Sequence, residues 1–100
     1  DRKSGHVLID SNDRLWGIDH GVCFSADFKL RTVVWEFADQ PIPAHLVAAA
    51  SSVADAPPLT VAALLADDEV EAMQERAQWL VEHPVFPADP SGRRYPWPLV

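Results

Sequence analysis

The stretch Asp1-Arg2-Lys3-Ser4-Gly5-His6-Val7-Leu8-Ile9-Asp10-Ser11-Asn12-Asp13-Arg14-Leu15-Trp16-Gly17-Ile18-Asp19-His20-Gly21 decides the fold. Two short apolar runs, residues 7–9 and 15–18, flank Ser11-Asn12-Asp13-Arg14, a set of turn formers. That pattern predicts a β-hairpin. A hairpin returns its two outer ends to the same place. Asp1, His6 and Asp19 are therefore expected on one side, close enough to share a cation or a phosphate. Asp10-Ser11-Asn12-Asp13 begins like a calcium loop, but Leu15 stands where that loop needs glycine and Gly21 where it needs a closing glutamate. These four are read as turn residues whose side chains bond their own backbone. Trp16 is expected to pack beneath the hairpin. Gly17, inside a strand, marks a bulge or a close backbone approach.

The same residues carry a resemblance. Asp1-Arg2-Lys3-Ser4-Gly5-His6, followed by the hairpin and Ile18-Asp19-His20-Gly21, resembles the catalytic loop and metal-binding loop of protein-kinase-like phosphotransferases. It is most similar to the phosphatidylinositol 3-/4-kinase-related branch. Leu15-Trp16-Gly17-Ile18-Asp19-His20-Gly21-Val22-Cys23-Phe24 and Lys29-Leu30-Arg31-Thr32-Val33 extend that similarity to a bacterial group of uncharacterised proteins identified as relatives of those kinases. The resemblance holds well over residues 1–43 and loosely over the remainder.

It implies a part of a kinase-like C-terminal lobe, and an activity that moves a phosphoryl group from ATP to a hydroxyl acceptor with Mg²⁺. Asp1 would orient or deprotonate the attacking hydroxyl, and Arg2 and Lys3 would neutralise phosphate charge. Asp19 would hold Mg²⁺, with His6 beside it as a second group toward metal and nucleotide. Two positions depart from the pattern: His6 replaces an asparagine metal ligand and His20 replaces a phenylalanine. Mg²⁺ prefers oxygen donors, so His6 is a poor substitute ligand; a hydrogen bond to a phosphate or to Asp19, or a strand-end histidine that pairs with backbone, are the alternatives. A metal hydrolase built from His6, Asp19 and His20 is a further reading of the same residues.

The rest of the chain reads as helix and loop. Residues 22–40 occupy the activation-loop position. Leu30, Val33, Val34, Phe37 and Ala38 recur at helical spacing, while Val33, Trp35 and Phe37 alternate as in a strand; a short helix is favoured. Pro41 and Pro43 end it. Residues 44–54 form a helix with Leu46, Val47, Ala50 and Val53 along one face. Thr60 is expected to cap a short helix over 61–66. Asp67 or Asp68 caps a longer one over 68–82, with Val70, Met73, Ala77, Leu80 and Val81 inward. Residues 84–100, with five prolines, Tyr95 and Trp97, are expected to lie extended over the body or onto sequence that would precede residue 1.

The whole is expected to be a single α+β unit: one hairpin and three or four helices, divided into residues 1–40, 41–83 and 84–100. In a chain of 100 residues a net charge of −7 argues against a nucleic-acid binder, because phosphate contacts need clustered Lys and Arg. No run reaches membrane-spanning length, so integral membrane association is not expected. The single cysteine, Cys23, excludes an internal disulfide and fits a cytoplasmic setting. A catalytic acid at the first position reads as the C-terminal part of a longer protein. Alone, such a piece is expected to be inactive and to form a homodimer through faces that the rest would cover. A catalytically inactive kinase-like or helical interaction module is the alternative.

Overall fold

The computed structural model describes residues 2–21, 23–28 and 30–89. It shows an α+β arrangement, a two-stranded antiparallel hairpin followed by three helices. A 3-10 turn, Ser4–His6, leads into β1 (Val7–Ile9), which pairs with β2 (Leu15–Gly17) in the register Val7↔Gly17, Leu8↔Trp16 and Ile9↔Leu15. The ladder runs one bond further at the open end, where Ile18 N–H donates to His6 O at 2.9 Å.

The hairpin loop closes as its residues predict. Asp13 N–H donates to Asp10 O, and Asp13 itself takes a left-handed backbone (φ 60°). This is the three-residue hairpin geometry in which a turn is followed by a left-handed residue, a conformation aspartate tolerates. The Asp10 carboxylate accepts from Asn12 N–H and Arg14 N–H through Oδ1, and from the Trp16 indole N–H through Oδ2. Trp16 therefore does not pack beneath the hairpin. Its Nε1–H is drawn to Asp10, and the ring stays about half exposed.

Residues 30–38 are not helical. Thr32 forms a parallel bridge with Arg2, with Arg2 N–H donating to Arg31 O and Val33 N–H to Arg2 O. The Thr32 hydroxyl then accepts from Val34 N–H, a local bond of the kind that competes with helix formation. Only a turn follows, closed by Ala38 N–H to Trp35 O and Gln40 N–H to Phe37 O.

The helical part comprises α1 (Ala44–Asp55), α2 (Leu59–Ala62) and α3 (Asp67–Glu82). α1 and α3 pack on one another along the expected apolar faces. Ala77 lies at 8% exposure and Val47, Ala50, Val53, Val70, Met73 and Leu80 are half-buried, whereas Leu46 stays outward at 47%. Small side chains on α1 allow this approach. Gln74 of α3 reaches across to the last carbonyls of α1, at Val53 and Ala54. The α2 helix starts earlier than expected and is capped by no side chain: Pro58 precedes it, and Thr60 lies within it. Proline is pre-organised for a helix start, which displaces the threonine from the capping position. α3 begins one residue earlier than expected. Neither Asp67 nor Asp68 is its cap residue; Ala66 holds that position, and the Glu69 carboxylate accepts from Ala66 N–H at 2.8 Å. Three acids in the first turn suit the positive end of the helix dipole.

The chain leaves α3 at His83, whose ring stacks on Trp79 at 4.7 Å and contacts Trp79 O through Nδ1. Residues 84–86 run extended beside 39–42. The bonds are Ile42 N–H to Pro84 O, Phe86 N–H to Gln40 O and Asp39 N–H to Phe86 O, with a Pro41↔Val85 bridge. The expected extended tail is thus present over 84–89 and laid on the body. Its remainder, with Arg93, Arg94, Tyr95 and Trp97, lies outside the described residues, as do Asp1, Val22 and Lys29.

Candidate functional site

The open end of the hairpin is where the candidate residues meet. The 3-10 turn ends at His6 just before β1, and β2 runs out through Ile18 to Asp19. The Ile18–His6 backbone bond fixes the spacing of the two exits. His6 Nε2 lies 3.2 Å from Asp19 Oδ2, at ion-pair distance. The two differ in environment: the His6 side chain is 17% exposed, whereas Asp19 is 64% exposed. Asp19 also holds a left-handed backbone (φ 59°), which turns the chain out of the strand before Gly21.

Arg2 locks this corner. Its Nη1 donates to Ile18 O at 2.6 Å and to His6 O at 3.3 Å, tying together both strands' outer ends. Its Nη2 donates to His20 Nδ1 at 3.1 Å. A guanidinium has only donors, so His20 Nδ1 must be the acceptor. The proton of a neutral His20 ring then sits on Nε2 and points to Gly17 O, 3.2 Å away. A side chain added at Gly17 would press on this clasp, its Cβ falling 3.4 Å from the His20 ring. The close approach expected at Gly17 is found here, made by His20 and Arg2 rather than by a bulge.

The structure therefore brings together His6 and Asp19, and adds Arg2 and His20 beside them. It places the Arg2 guanidinium on carbonyls and on an imidazole. Lys3 contributes its backbone: its carbonyl accepts from His6 N–H and its amide donates to His6 Nδ1 at 3.3 Å. Asp1, the expected catalytic acid, lies outside the described residues. Among the described residues no three His, Cys, Asp or Glu side chains gather so as to hold a metal ion. His20 is engaged on both ring nitrogens, leaving it no lone pair for the hydrolase reading. A carboxylate as open to water as Asp19 suits a hard cation that keeps much of its hydration shell.

Asp19 and His20 also form one wall of a cleft of about 970 Å³, which runs from the hairpin end to α3 and residues 85–88. Its other walls include Phe28, Trp79, Leu80 and Phe86. The volume is within the range of small-molecule and cofactor sites. Arg76 of α3 reaches into the loop that forms its rim, donating to Ser25 O at 2.8 Å. Sequence reading missed Arg76 and the Arg2–His20 clasp. The signal for Arg76 was its place beside Met73, Ala77 and Leu80 on the inward stripe, where a cation needs a partner.

Comparison with known proteins adds one relative. Protein Rv2133c of Mycobacterium tuberculosis is 40% identical over 102 residues, covering 98% of this chain and 37% of that protein. The chain thus spans a little over a third of the length of the relative it matches. The similarity takes in the hairpin and the helices alike. No family model matches the chain, and no solved structure matches it.

Proposed function

We propose that this chain carries the catalytic-loop and metal-loop portion of an ATP-dependent phosphotransferase of the phosphatidylinositol 3-/4-kinase-like type, acting on a hydroxyl acceptor. The observation that supports this reading most is the convergence of Asp19 and His6, 3.2 Å apart at the open end of a two-stranded hairpin, beside Arg2. In that reading Asp19 offers its carboxylate to Mg²⁺, and Asp1 accepts the proton of the attacking hydroxyl. Mg²⁺, when bound, would neutralise charge on the nucleotide phosphates. Arg2 braces the corner through carbonyls, so its charge acts on bound phosphate only at second hand. Lys3, next in the chain, is a second basic residue there.

The test uses the full-length protein with ATP and Mg²⁺. Asp19→Ala should abolish Mg²⁺-dependent turnover, a loss of at least about 100-fold for a group acting on developing charge. Equal turnover in the variant and the parent would overturn the assignment.

A second reading, a catalytically inactive kinase-like or helical interaction module, is favoured by one observation. Large apolar side chains stand exposed, among them Ile9 and Leu15 on the hairpin, Leu59 at the start of α2 and Leu64 in the turn after it, and apolar surface of that kind suits contact with a partner. Calorimetry of the full-length protein with ATP separates the two. Heat that depends on Mg²⁺ supports the phosphotransferase; its absence supports the module.

A further inference from the structure

We propose that His6 is a positioning residue for Asp19: a hydrogen-bond donor fixed in a single tautomer, and not a cation ligand. Its consequence for cation binding rests on the phosphotransferase reading above; the donor geometry does not.

The tautomer follows from the neighbours. Lys3 N–H can only donate, and it points at His6 Nδ1 from 3.3 Å. Nδ1 is therefore the acceptor, and the ring proton belongs on Nε2. Nε2 faces Asp19 Oδ2 at 3.2 Å. With its proton there, the contact is a donor meeting a carboxylate. Without it, two lone pairs would face each other, and the approach would be repulsive. Both ring nitrogens are thereby engaged, and neither keeps a lone pair for a cation. The ring is mostly covered while Asp19 is mostly open. The pair thus has a fixed member and a reaching member, as where a buried group orients an exposed ligand.

The arrangement also explains why a histidine serves at a position where the resembling kinases use asparagine. Nε2 of histidine lies as many bonds from the backbone as Nε2 of glutamine, whereas asparagine reaches only as far as Nδ1. Glutamine at position 6 can give a proton to Asp19; asparagine cannot reach it but could offer a cation its oxygen. The two substitutions therefore discriminate donor from ligand.

The experiment uses the chain with ¹⁵N-labelled histidine, and Mn²⁺ alone as the probe. Long-range ¹H–¹⁵N NMR should show His6 as the Nε2–H tautomer, its proton shift moving in Asp19→Ala. Water-relaxation titration should show Mn²⁺ binding in His6→Gln within about threefold of the parent, and weakened about tenfold or more in His6→Asn and His6→Ala. A protonated Nδ1, a shift indifferent to Asp19→Ala, or His6→Asn binding Mn²⁺ at least as well as the parent while His6→Gln does not, would each overturn the proposal. Should the parent bind no Mn²⁺ through Asp19, the phosphotransferase reading falls. The tautomer and its response to Asp19→Ala then decide the positioning role by themselves.

Discussion

Asp10 shows how much one exposed carboxylate can organise when its neighbours are all donors. The Trp16 indole N–H, then the Arg14 amide and to a lesser degree the Asn12 amide, hold its carboxyl below the ordinary aspartate range, against an opposing effect of desolvation. A group whose folded-state pKa is depressed contributes stability above its unfolded value, and that contribution is lost as pH falls through the folded one. The hairpin tip should therefore hold at neutral pH and loosen below about pH 4. Trp16 fluorescence is the measurement, because its indole N–H bonds that carboxylate. Asp10→Asn should flatten that acid transition; a transition unchanged in the variant would exclude Asp10 as its source. Asp19, by contrast, is paired among the described residues with the His6 imidazole and is 64% exposed. That contrast between two aspartates of the same hairpin separates a turn residue from a candidate ligand.

Among the elements, the hairpin and the two long helices were legible in the sequence because their periodicities conflict with nothing. Val7–Ile9 and Leu15–Gly17 are flanked by turn formers, and the stripes of α1 and α3 repeat cleanly. Residues 30–38 were not legible, because Leu30, Val33, Val34 and Phe37 satisfy the helical and alternating patterns together. The bridge from Thr32 to Arg2, made across some 30 residues of sequence, decides the matter, and no local pattern reveals it. The corner was half legible. Hairpin topology alone brings His6 to Asp19, but the grip of Arg2 on two carbonyls and on His20 depends on side-chain directions that spacing does not carry. Between the helices, Gln74 is the one polar side chain that bonds the end of the partner helix. Gln74→Ala should lower stability by about 1 kcal/mol, the net value of such bonding, read as a thermal midpoint lower by about 4–8 °C. Gln78→Ala, which removes only the exposed bond to Glu82, should stay within about 0.5 kcal/mol. Equal effects of the two would deny Gln74 its bridging role.

Over the whole molecule, burial is thin. Ala77 alone falls below a tenth exposed among the described residues, and the hairpin shows apolar side chains on both faces: Ile9 and Leu15 on one, Leu8 and Trp16 on the other. A ribbon apolar on both sides is the composition of a sheet covered on both sides. No helix among the described residues is long and apolar enough to cross a membrane. The chain on its own should associate with a second copy through the hairpin's apolar faces. Light scattering at micromolar concentration is expected to give a dimer, and Leu15→Glu in the hairpin to return it to a monomer. A strictly monomeric parent would show that the exposed faces are too scattered to pair.

The neck formed by residues 39–42 and 84–86 has a consequence for the helices that hang from it. Everything from Pro43 to His83 leaves and returns through one short run of paired backbone, like a noose drawn at its knot. A single cut in the loop between α1 and α2, at Ala56 or Pro57, would leave neither piece at liberty. Limited digestion should yield two bands under denaturing conditions that travel together on a native column.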